Sequence, residues 1–131
     1  GLVAGMAIRR STVPVLGISA GAPADYLAPV VRELAEGVIA HIGIDREIAD
    51  DAVVVDDDYV GEEYGIPTVE MHEAVSMCAR LEGLLLDPVY SGKAMAGLIG
   101  HIRAGRYRVS DSANDVIFIH TGGTPALFAY R

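Results

Sequence analysis

The sequence predicts an α/β domain whose parallel sheet is covered by helices on both faces. Short apolar segments alternate along the chain with amphipathic stretches long enough to form helices. The apolar segments show no hydrophobic–polar alternation, which indicates strands buried on both faces. Glycine and hydroxyl residues follow several of these segments, a composition typical of the ligand-binding edge of a parallel sheet. At 131 residues the chain suits one domain, and we expect residues 1–131 to form a single α/β segment.

Three apolar segments are predicted to form the strands of the sheet. TVPVLGIS (12–19), AVVV (52–55) and DVIFIH (115–120) are rich in β-branched and other apolar residues. A fourth apolar segment, LLLDP (84–88), is short and runs into a turn. Helix-length stretches separate the strands, as parallel pairing requires.

Five segments have the pattern of helices, and local signals mark several of their ends. The segments are residues 2–10, 24–42, 68–82, 91–104 and a last helix that starts near Thr124. Thr68 and Thr124 are expected to cap the helices that follow them, because a threonine hydroxyl accepts a hydrogen bond from a free amide of the first turn. Gly43, Gly83 and Gly105 are expected to end helices.

Side-chain patterns on these helices lead to further expectations. The helix at 68–82 is expected to bury one face, formed by Met71, Val75, Cys78 and Leu81. Three histidines are expected on helix surfaces, namely His41, His72 and His101. No histidine pair has a metal-ligand spacing, and the aspartates near residues 50–58 match no calcium loop, so we predict no metal site.

The composition excludes several classes of partner. A net charge of −8 and an isoelectric point near 4.8 argue against binding to nucleic acid or to an anionic membrane. The basic cluster is small, and it consists of Arg103, Arg106 and Arg108. No apolar run reaches the roughly 20 residues that span a bilayer. With Cys78 as the one cysteine, no internal disulfide can form, and we expect a cytoplasmic protein. The chain opens with Gly1 on a helical pattern, from which we expect a fragment of a longer protein.

Three loops after apolar segments are candidates for a functional site. They are DDDYVGEEYGIP (56–67), DPVYSGK (87–93) and HTGGTP (120–125). Free amides in the last loop can hold a phosphate, although the same pattern also suits a plain strand-to-helix turn. Lys93 is the only lysine in a chain with nine arginines, so a role as a catalytic amine has to be considered.

The same three segments resemble the C-terminal part of a known enzyme family. DDDYVGEEYGIPT, ARLEGLLLDPVYSGKAMAGLI and IFIHTGGTPALFAY are similar, in this order, to the D-cysteine desulfhydrase and 1-aminocyclopropane-1-carboxylate deaminase family. Its members are pyridoxal-phosphate enzymes of fold type II, with a tryptophan synthase β-like fold. The resemblance covers most of residues 50–131. It implies that the Schiff-base lysine and the phosphate loop lie before Gly1, and that Lys93 is a lysine of the Tyr-x-Gly-Lys turn instead.

The resemblance also implies which residues catalyse the reaction. Tyr64 and Tyr90 match two active-site tyrosines, and a phenol can relay a proton if its environment lowers its pKa. Glu62 and Glu63 depart from the family pattern, which usually has Pro and Gly before the first tyrosine. This departure puts the substrate in doubt more than the fold.

Four further residues match the cofactor-binding positions of the family. Ser91 and Thr121 match two positions that face the cofactor ring and the substrate, where deaminases have Glu and Leu and desulfhydrases have small hydroxyl residues. A hydroxyl near the ring nitrogen offers a neutral hydrogen bond, which favours β-elimination. Gly122 and Gly123 would let the backbone approach the ring.

The family resemblance therefore implies β-elimination on D-cysteine, giving pyruvate, ammonia and sulfide. Two alternatives are an L-cysteate sulfo-lyase and a 1-aminocyclopropane-1-carboxylate deaminase. All three imply pyridoxal phosphate, a small amino-acid substrate and a homodimer. A non-enzyme alternative also stays open, in which a small acidic α/β module binds a ligand at HTGGTP.

Overall fold

The computed structural model describes residues 1–107 and 115–130, which form four α-helices and two strands. In chain order these are α1 (Leu2–Arg9), β1 (Leu16–Ile18), α2 (Ala24–Ile42), β2 (Val54–Asp56), α3 (Val69–Glu82) and α4 (Ser91–Arg103), followed by a 3₁₀ helix at Thr124–Phe128. The chain divides into two compact units. The first contains Gly1–Gly17 and Ala22–Asp56, and the second contains Ile18–Gly21 and Asp57–Arg131.

A parallel two-stranded sheet lies mostly within the first unit. β1 and β2 pair with each other, and α2 connects them as a β–α–β crossover. Two of the three predicted strands, those at 12–19 and 52–55, are therefore present, but each spans only three residues, and β2 ends one residue beyond the predicted end. The α/β class with a parallel sheet is confirmed, and the predicted strands were too long because only the paired residues qualify as strand.

Small side chains let α1 and α2 pack closely. Ala4 on α1 and Ala35 on α2 are almost fully buried, together with Ile39 and Ile48. The guanidinium of Arg32 donates to the carbonyls of the loop after α2, at residues 48, 49 and 50. These bonds fix a loop that has no regular secondary structure of its own.

Local signals predicted the ends of α2 and α3 correctly. The Thr68 hydroxyl accepts from the Met71 amide at 3.2 Å and caps α3. Gly43 and Gly83 follow α2 and α3 with left-handed φ values of 75° and 67°. Among residues 1–107 and 115–130, no helix is long and apolar enough to cross a membrane.

In the second unit, α3 packs against α4, and two side-chain expectations were wrong. Met71, Ala74 and Cys78 are buried on α3, but Leu81 is 72% exposed. Leu81 lies in the last turn of α3, where no described residue covers it. His101 is buried instead of lying on the surface, because the rings of Tyr59 and Tyr107 pack edge-on against it, with centroids 6.1 and 5.9 Å away.

The C-terminal segment also differs from the expectation. Residues 115–120 form no strand, since no described neighbour pairs with their backbone, and Ile117 is exposed. The expected last α-helix is a 3₁₀ helix. Thr124 is its first residue and makes no capping hydrogen bond, while Gly123 occupies the cap position. Arg108, from the predicted basic cluster, falls outside the described residues.

Candidate functional site

The two tyrosines implicated by the sequence meet in the second unit. The phenol oxygens of Tyr64 and Tyr90 are hydrogen-bonded to each other. Their ring centroids are 5.9 Å apart and the rings are tilted by 58°. Both side chains are about half exposed, at 55% and 46%. The pair therefore offers two coupled phenols to a ligand at the surface of this unit.

The environment of Tyr64 raises its pKa. The hydrogen bond with Tyr90 is the main cause, and partial burial together with the nearby charges of Tyr90, Tyr130 and Asp87 adds to it. Proton relay by a phenol requires a lowered pKa, and at Tyr64 that condition is not met. A raised pKa keeps the proton on the phenol, so Tyr64 is suited to donate a hydrogen bond, and it is a weaker acid than an ordinary tyrosine.

Asp87 organises the turn that carries Tyr90. Its side chain is completely buried, and its carboxylate accepts from the amides of Val89, Tyr90 and Ser91 at 2.7–2.8 Å. These are free amides at the start of α4, where the helix dipole also favours a negative charge. Burial raises the pKa of Asp87, but the hydrogen bonds from Ser91, Tyr90 and Val89 outweigh burial and leave the pKa below its usual value.

The Ser91 hydroxyl is engaged by the same carboxylate. It donates to Oδ1 of Asp87 at 2.6 Å and accepts from the Asp87 amide at 2.8 Å. Ser91 is 2% exposed. Because a hydroxyl has one proton, that proton is used within the turn in this arrangement and is not offered to a ring nitrogen.

The HTGGTP loop lies against the same turn through Gly123. Gly123 has a left-handed φ of 90°, and a Cβ at this position would lie 2.5 Å from Oδ1 of Asp87. Only glycine fits both constraints. Gly122 also has a positive φ, of 102°, but a Cβ there would meet nothing within 4 Å. The backbone at Gly122 and the adjacent Thr121 is therefore exposed and open to a ligand.

His120 holds this loop in place. Its Nδ1 accepts from the Gly122 amide, and its Nε2 lies 3.1 Å from the Leu85 carbonyl. Since Nδ1 accepts, the ring proton is on Nε2, which donates to that carbonyl. The loop that carries Thr121 is thus tied to the segment that leads into Asp87.

The ammonium of Lys93 is turned inward. The residue is 0% exposed, and its Nζ donates to the carbonyls of Val60, Ala20 and Glu63. Burial lowers the pKa of Lys93. Lys93 is therefore bonded to two other segments of the second unit, at Ala20 and at Val60 and Glu63.

Sequence reasoning missed Asp87. The signal was present, because an aspartate shortly before a helix is a favoured N-terminal cap. Its contact with Gly123 was not visible, because the two residues are far apart along the chain and are brought together only by folding.

The chain belongs to the pyridoxal-phosphate dependent enzyme family, whose family model matches residues 1–122. Members of this family depend on pyridoxal phosphate. The resemblance found in the sequence is thereby confirmed at the level of the family.

Several individual relatives share one name, 1-aminocyclopropane-1-carboxylate deaminase. The chain is 39% identical over 131 residues to a 1-aminocyclopropane-1-carboxylate deaminase of Burkholderia cenocepacia, and 41% identical over 131 residues to the protein of that name from Variovorax paradoxus. It spans 38% of the length of each relative. A crystal structure described as an ACC deaminase homologue superposes with a TM-score of 0.84 at 29% identity, covering 98% of this chain and 37% of that one. The fold is that of a fold-type-II pyridoxal-phosphate enzyme.

Proposed function

We propose that this chain is part of a pyridoxal-phosphate-dependent carbon–sulfur lyase that eliminates sulfide from D-cysteine. The Tyr64–Tyr90 pair is the observation that carries the proposal, because it supplies two hydrogen-bonded phenols at an accessible surface. The Tyr90 amide and the backbone of Gly123 both contact the Asp87 carboxylate. The phenols and the open Thr121–Gly122 backbone therefore border the same turn.

The residues around this turn fit a flat aromatic cofactor. The exposed backbone at Gly122, with no side chain and nothing within 4 Å of a Cβ, leaves room for a ring to approach. The Thr121 hydroxyl beside it supplies a hydrogen-bonding group without a formal charge. When bound, pyridoxal phosphate withdraws electrons from the α-carbon of the substrate. The chain's own residues orient the amino acid and handle the leaving group.

The reaction requires a proton at the departing sulfur. D-Cysteine and water give pyruvate, ammonia and hydrogen sulfide. The Cα–H and Cβ–S bonds break, and sulfur leaves with the electron pair of the Cβ–S bond. Tyr90 donates a proton to this sulfur, and Tyr64 supports it through the hydroxyl–hydroxyl hydrogen bond.

A 1-aminocyclopropane-1-carboxylate deaminase is the second candidate, because several relatives carry that name at about the same identity. The residues at 91 and 121 favour the desulfhydrase, since small hydroxyl side chains stand where the deaminase pattern has Glu and Leu. An L-cysteate sulfo-lyase, which would release sulfite, is a third candidate. Glu62 and Glu63 are both exposed beside Tyr64 and add negative charge there, which bears on the choice of substrate.

The test is a comparison of three substrates with the full-length protein and added pyridoxal phosphate. We expect sulfide from D-cysteine with a kcat/KM well above that for ammonia release from 1-aminocyclopropane-1-carboxylate or sulfite release from L-cysteate. Ammonia from the cyclopropane substrate without sulfide from D-cysteine would identify a deaminase instead.

A double variant tests the two hydroxyl positions. Ser91→Glu with Thr121→Leu introduces the side chains of the deaminase pattern, and it should lower kcat/KM for D-cysteine more than about tenfold, or roughly 1.4 kcal/mol. Because Ser91 is buried and bonded to Asp87, circular dichroism must first show that the double variant is folded; Thr121→Leu alone gives the effect of the exposed position. Unchanged kcat/KM in the double variant would remove the residue-level support for the desulfhydrase.

A further inference from the structure

We propose that Lys93 is a positioning residue that holds Tyr64 in contact with Tyr90. The ammonium does so through backbone carbonyls of the loop that presents Tyr64 and through the carbonyl of Ala20. Its catalytic consequence rests on the proposed function, whereas its structural consequence can be measured without turnover.

The contacts of the ammonium converge on the surroundings of Tyr64. Nζ of Lys93 donates to the Val60 carbonyl at 2.6 Å and, in longer contacts of 3.4 Å, to the carbonyls of Glu63 and Ala20. Val60 and Glu63 lie in the loop that presents Tyr64. Glu63 immediately precedes the tyrosine, so the position of its carbonyl sets the direction in which the chain enters Tyr64.

The third carbonyl belongs to a segment that packs against the Tyr64 ring. Ala20 precedes Gly21, and a Cβ at Gly21 would lie 2.6 Å from Cδ2 of Tyr64. The backbone at Gly21 is therefore in direct contact with the aromatic ring. By binding the Ala20 carbonyl, Lys93 fixes the surface against which the ring packs.

Tyr130 completes the support from the other end of the tyrosine. Its hydroxyl donates to the Gly65 carbonyl at 2.7 Å. The carbonyls of the two residues that flank Tyr64 in the chain thus both accept from side chains, that of Glu63 from Lys93 and that of Gly65 from Tyr130. Such bonds limit the motion of a loop that contains no helix or strand.

The chemistry of the contact explains why a lysine is needed. A buried ammonium is costly unless hydrogen bonds compensate for lost water, and here carbonyl oxygens take that role. An ammonium has three protons and can serve three acceptors at once. A side chain of the same length without donors would leave these carbonyls without that partner.

The experiment replaces Lys93 in the full-length protein and observes Tyr64 directly. Tyrosine labelled with carbon-13 at Cζ reports the ionisation of each phenol by NMR, and a Tyr64→Phe spectrum assigns the signal. In Lys93→Met we expect the Tyr64 pKa to fall toward the ordinary tyrosine value, because the hydrogen bond with Tyr90 is the main cause of its raised pKa. We expect kcat to fall about 10²-fold, the loss typical of a small misplacement of a catalytic group, with the cofactor still bound.

Arg32→Met is the matched control. Arg32 is also a cation that donates to three backbone carbonyls, those of residues 48, 49 and 50, but it lies in the first unit. The control should leave the Tyr64 titration unchanged. If Lys93→Met does not fold, Lys93→Gln keeps a neutral donor and should shift the Tyr64 pKa in the same direction by less.

The outcomes separate this proposal from the proposed function. A Tyr64 titration that is unchanged in a folded Lys93 variant overturns the positioning role. Loss of covalently held cofactor in that variant also overturns it, and returns Lys93 to the role of catalytic amine. A shifted Tyr64 pKa in a protein that shows no desulfhydrase activity supports the positioning role while the proposed function fails.

Discussion

Asp87 shows how one buried carboxylate can determine the geometry of several neighbours. It binds the amides that begin α4, it engages both the proton and a lone pair of Ser91 through its own carboxylate and amide, and it contacts Gly123. Tyr90 is exposed, but its backbone amide is fixed to this carboxylate at 2.7 Å. At the scale of single residues, the buried Asp87 carboxylate therefore sets the position of Tyr90, which we propose acts on the substrate.

Replacing Asp87 by Asn should destabilise the protein in a pH-dependent way. The folded-state pKa of Asp87 is lowered, so the unfolded state binds more protons, and the stabilisation is present above the unfolded pKa of about 3.9 and lost as pH falls through the folded pKa. At pH 7 we expect Asp87→Asn to cost about 1.5–3 kcal/mol, the range for a hydrogen bond to a charged group. Urea unfolding from pH 3 to pH 7 measures it.

The difference between wild type and Asp87→Asn should shrink as the pH falls toward 3. Glu33→Gln, an exposed position on α2, controls for the loss of one negative charge. If the difference in free energy of unfolding between wild type and Asp87→Asn stayed constant across this pH range, the charge of the Asp87 carboxylate would not contribute to stability.

Replacing Tyr90 by Phe should slow the reaction while leaving the fold intact. The proposed proton donor is lost, so kcat should fall by about 10²–10⁴-fold, which is the rate factor that a positioned general acid usually contributes. The cofactor absorbance should be retained. The Tyr64 pKa should also fall, because the Tyr90 hydroxyl is the main cause of its elevation. Steady-state kinetics and the phenol titration measure the two effects.

Tyr26→Phe is the control for this experiment, since Tyr26 is exposed on α2. Turnover by Tyr90→Phe within about twofold of wild type would make Tyr90 a packing residue and would contradict the proposed acid role.

At the scale of elements, α3 and α4 form the helical support of the second unit. Glu73 on α3 makes two hydrogen bonds to Arg103 on α4, at 2.6 and 2.9 Å. Both side chains are more than a third exposed, so we expect this ion pair to contribute little to the free energy of unfolding, and less still at high salt concentration. The burial of Met71, Ala74 and Cys78 on α3 contributes more to the packing of this unit than the Glu73–Arg103 pair does.

The N-terminal cap of α3 offers a test at this scale. Thr68→Ala removes the acceptor for the Met71 amide, and we expect the free energy of unfolding to fall by about 0.5–2 kcal/mol. Thr68→Ser keeps the hydroxyl and should restore most of that loss. Equal stability of the alanine and serine variants in urea unfolding would show that the cap contributes nothing.

At the scale of the whole molecule, we propose that no side-chain amine of this chain holds the cofactor. Lys93 is the only lysine in the sequence, and its ammonium is buried against carbonyls. The chain also spans only 38% of the length of its relatives. We therefore propose that the lysine that binds the cofactor, and the phosphate loop, belong to the part of the relatives that this chain does not cover.

The isolated 131-residue chain should consequently be inactive. After incubation with pyridoxal phosphate and reduction with borohydride, we expect no stoichiometric adduct at Lys93 by peptide mass mapping, and no sulfide from D-cysteine. Circular dichroism must first show that the isolated chain is folded. A stoichiometric adduct at Lys93, together with turnover, would contradict the proposed division of the site.

Several features could be predicted from the sequence because they depend on neighbours along the chain. The Thr68 cap and the left-handed residues Gly43 and Gly83 involve contacts within a few positions. The alternation of segments was sufficient for the α/β class. The family also followed from the order of three motifs.

Only the tertiary structure decided which faces are covered and which polar groups are paired. Leu81 and His101 fit helical patterns equally well as buried or exposed residues, and the neighbouring elements determine the outcome. Lys93 meets carbonyls that are 33 and 73 positions away, and Asp87 meets a glycine in another loop. No local sequence pattern predicts such contacts, because hydrogen bonds and close packing depend on distance in space. Helix propensity and hydrophobic periodicity report only on neighbours in sequence.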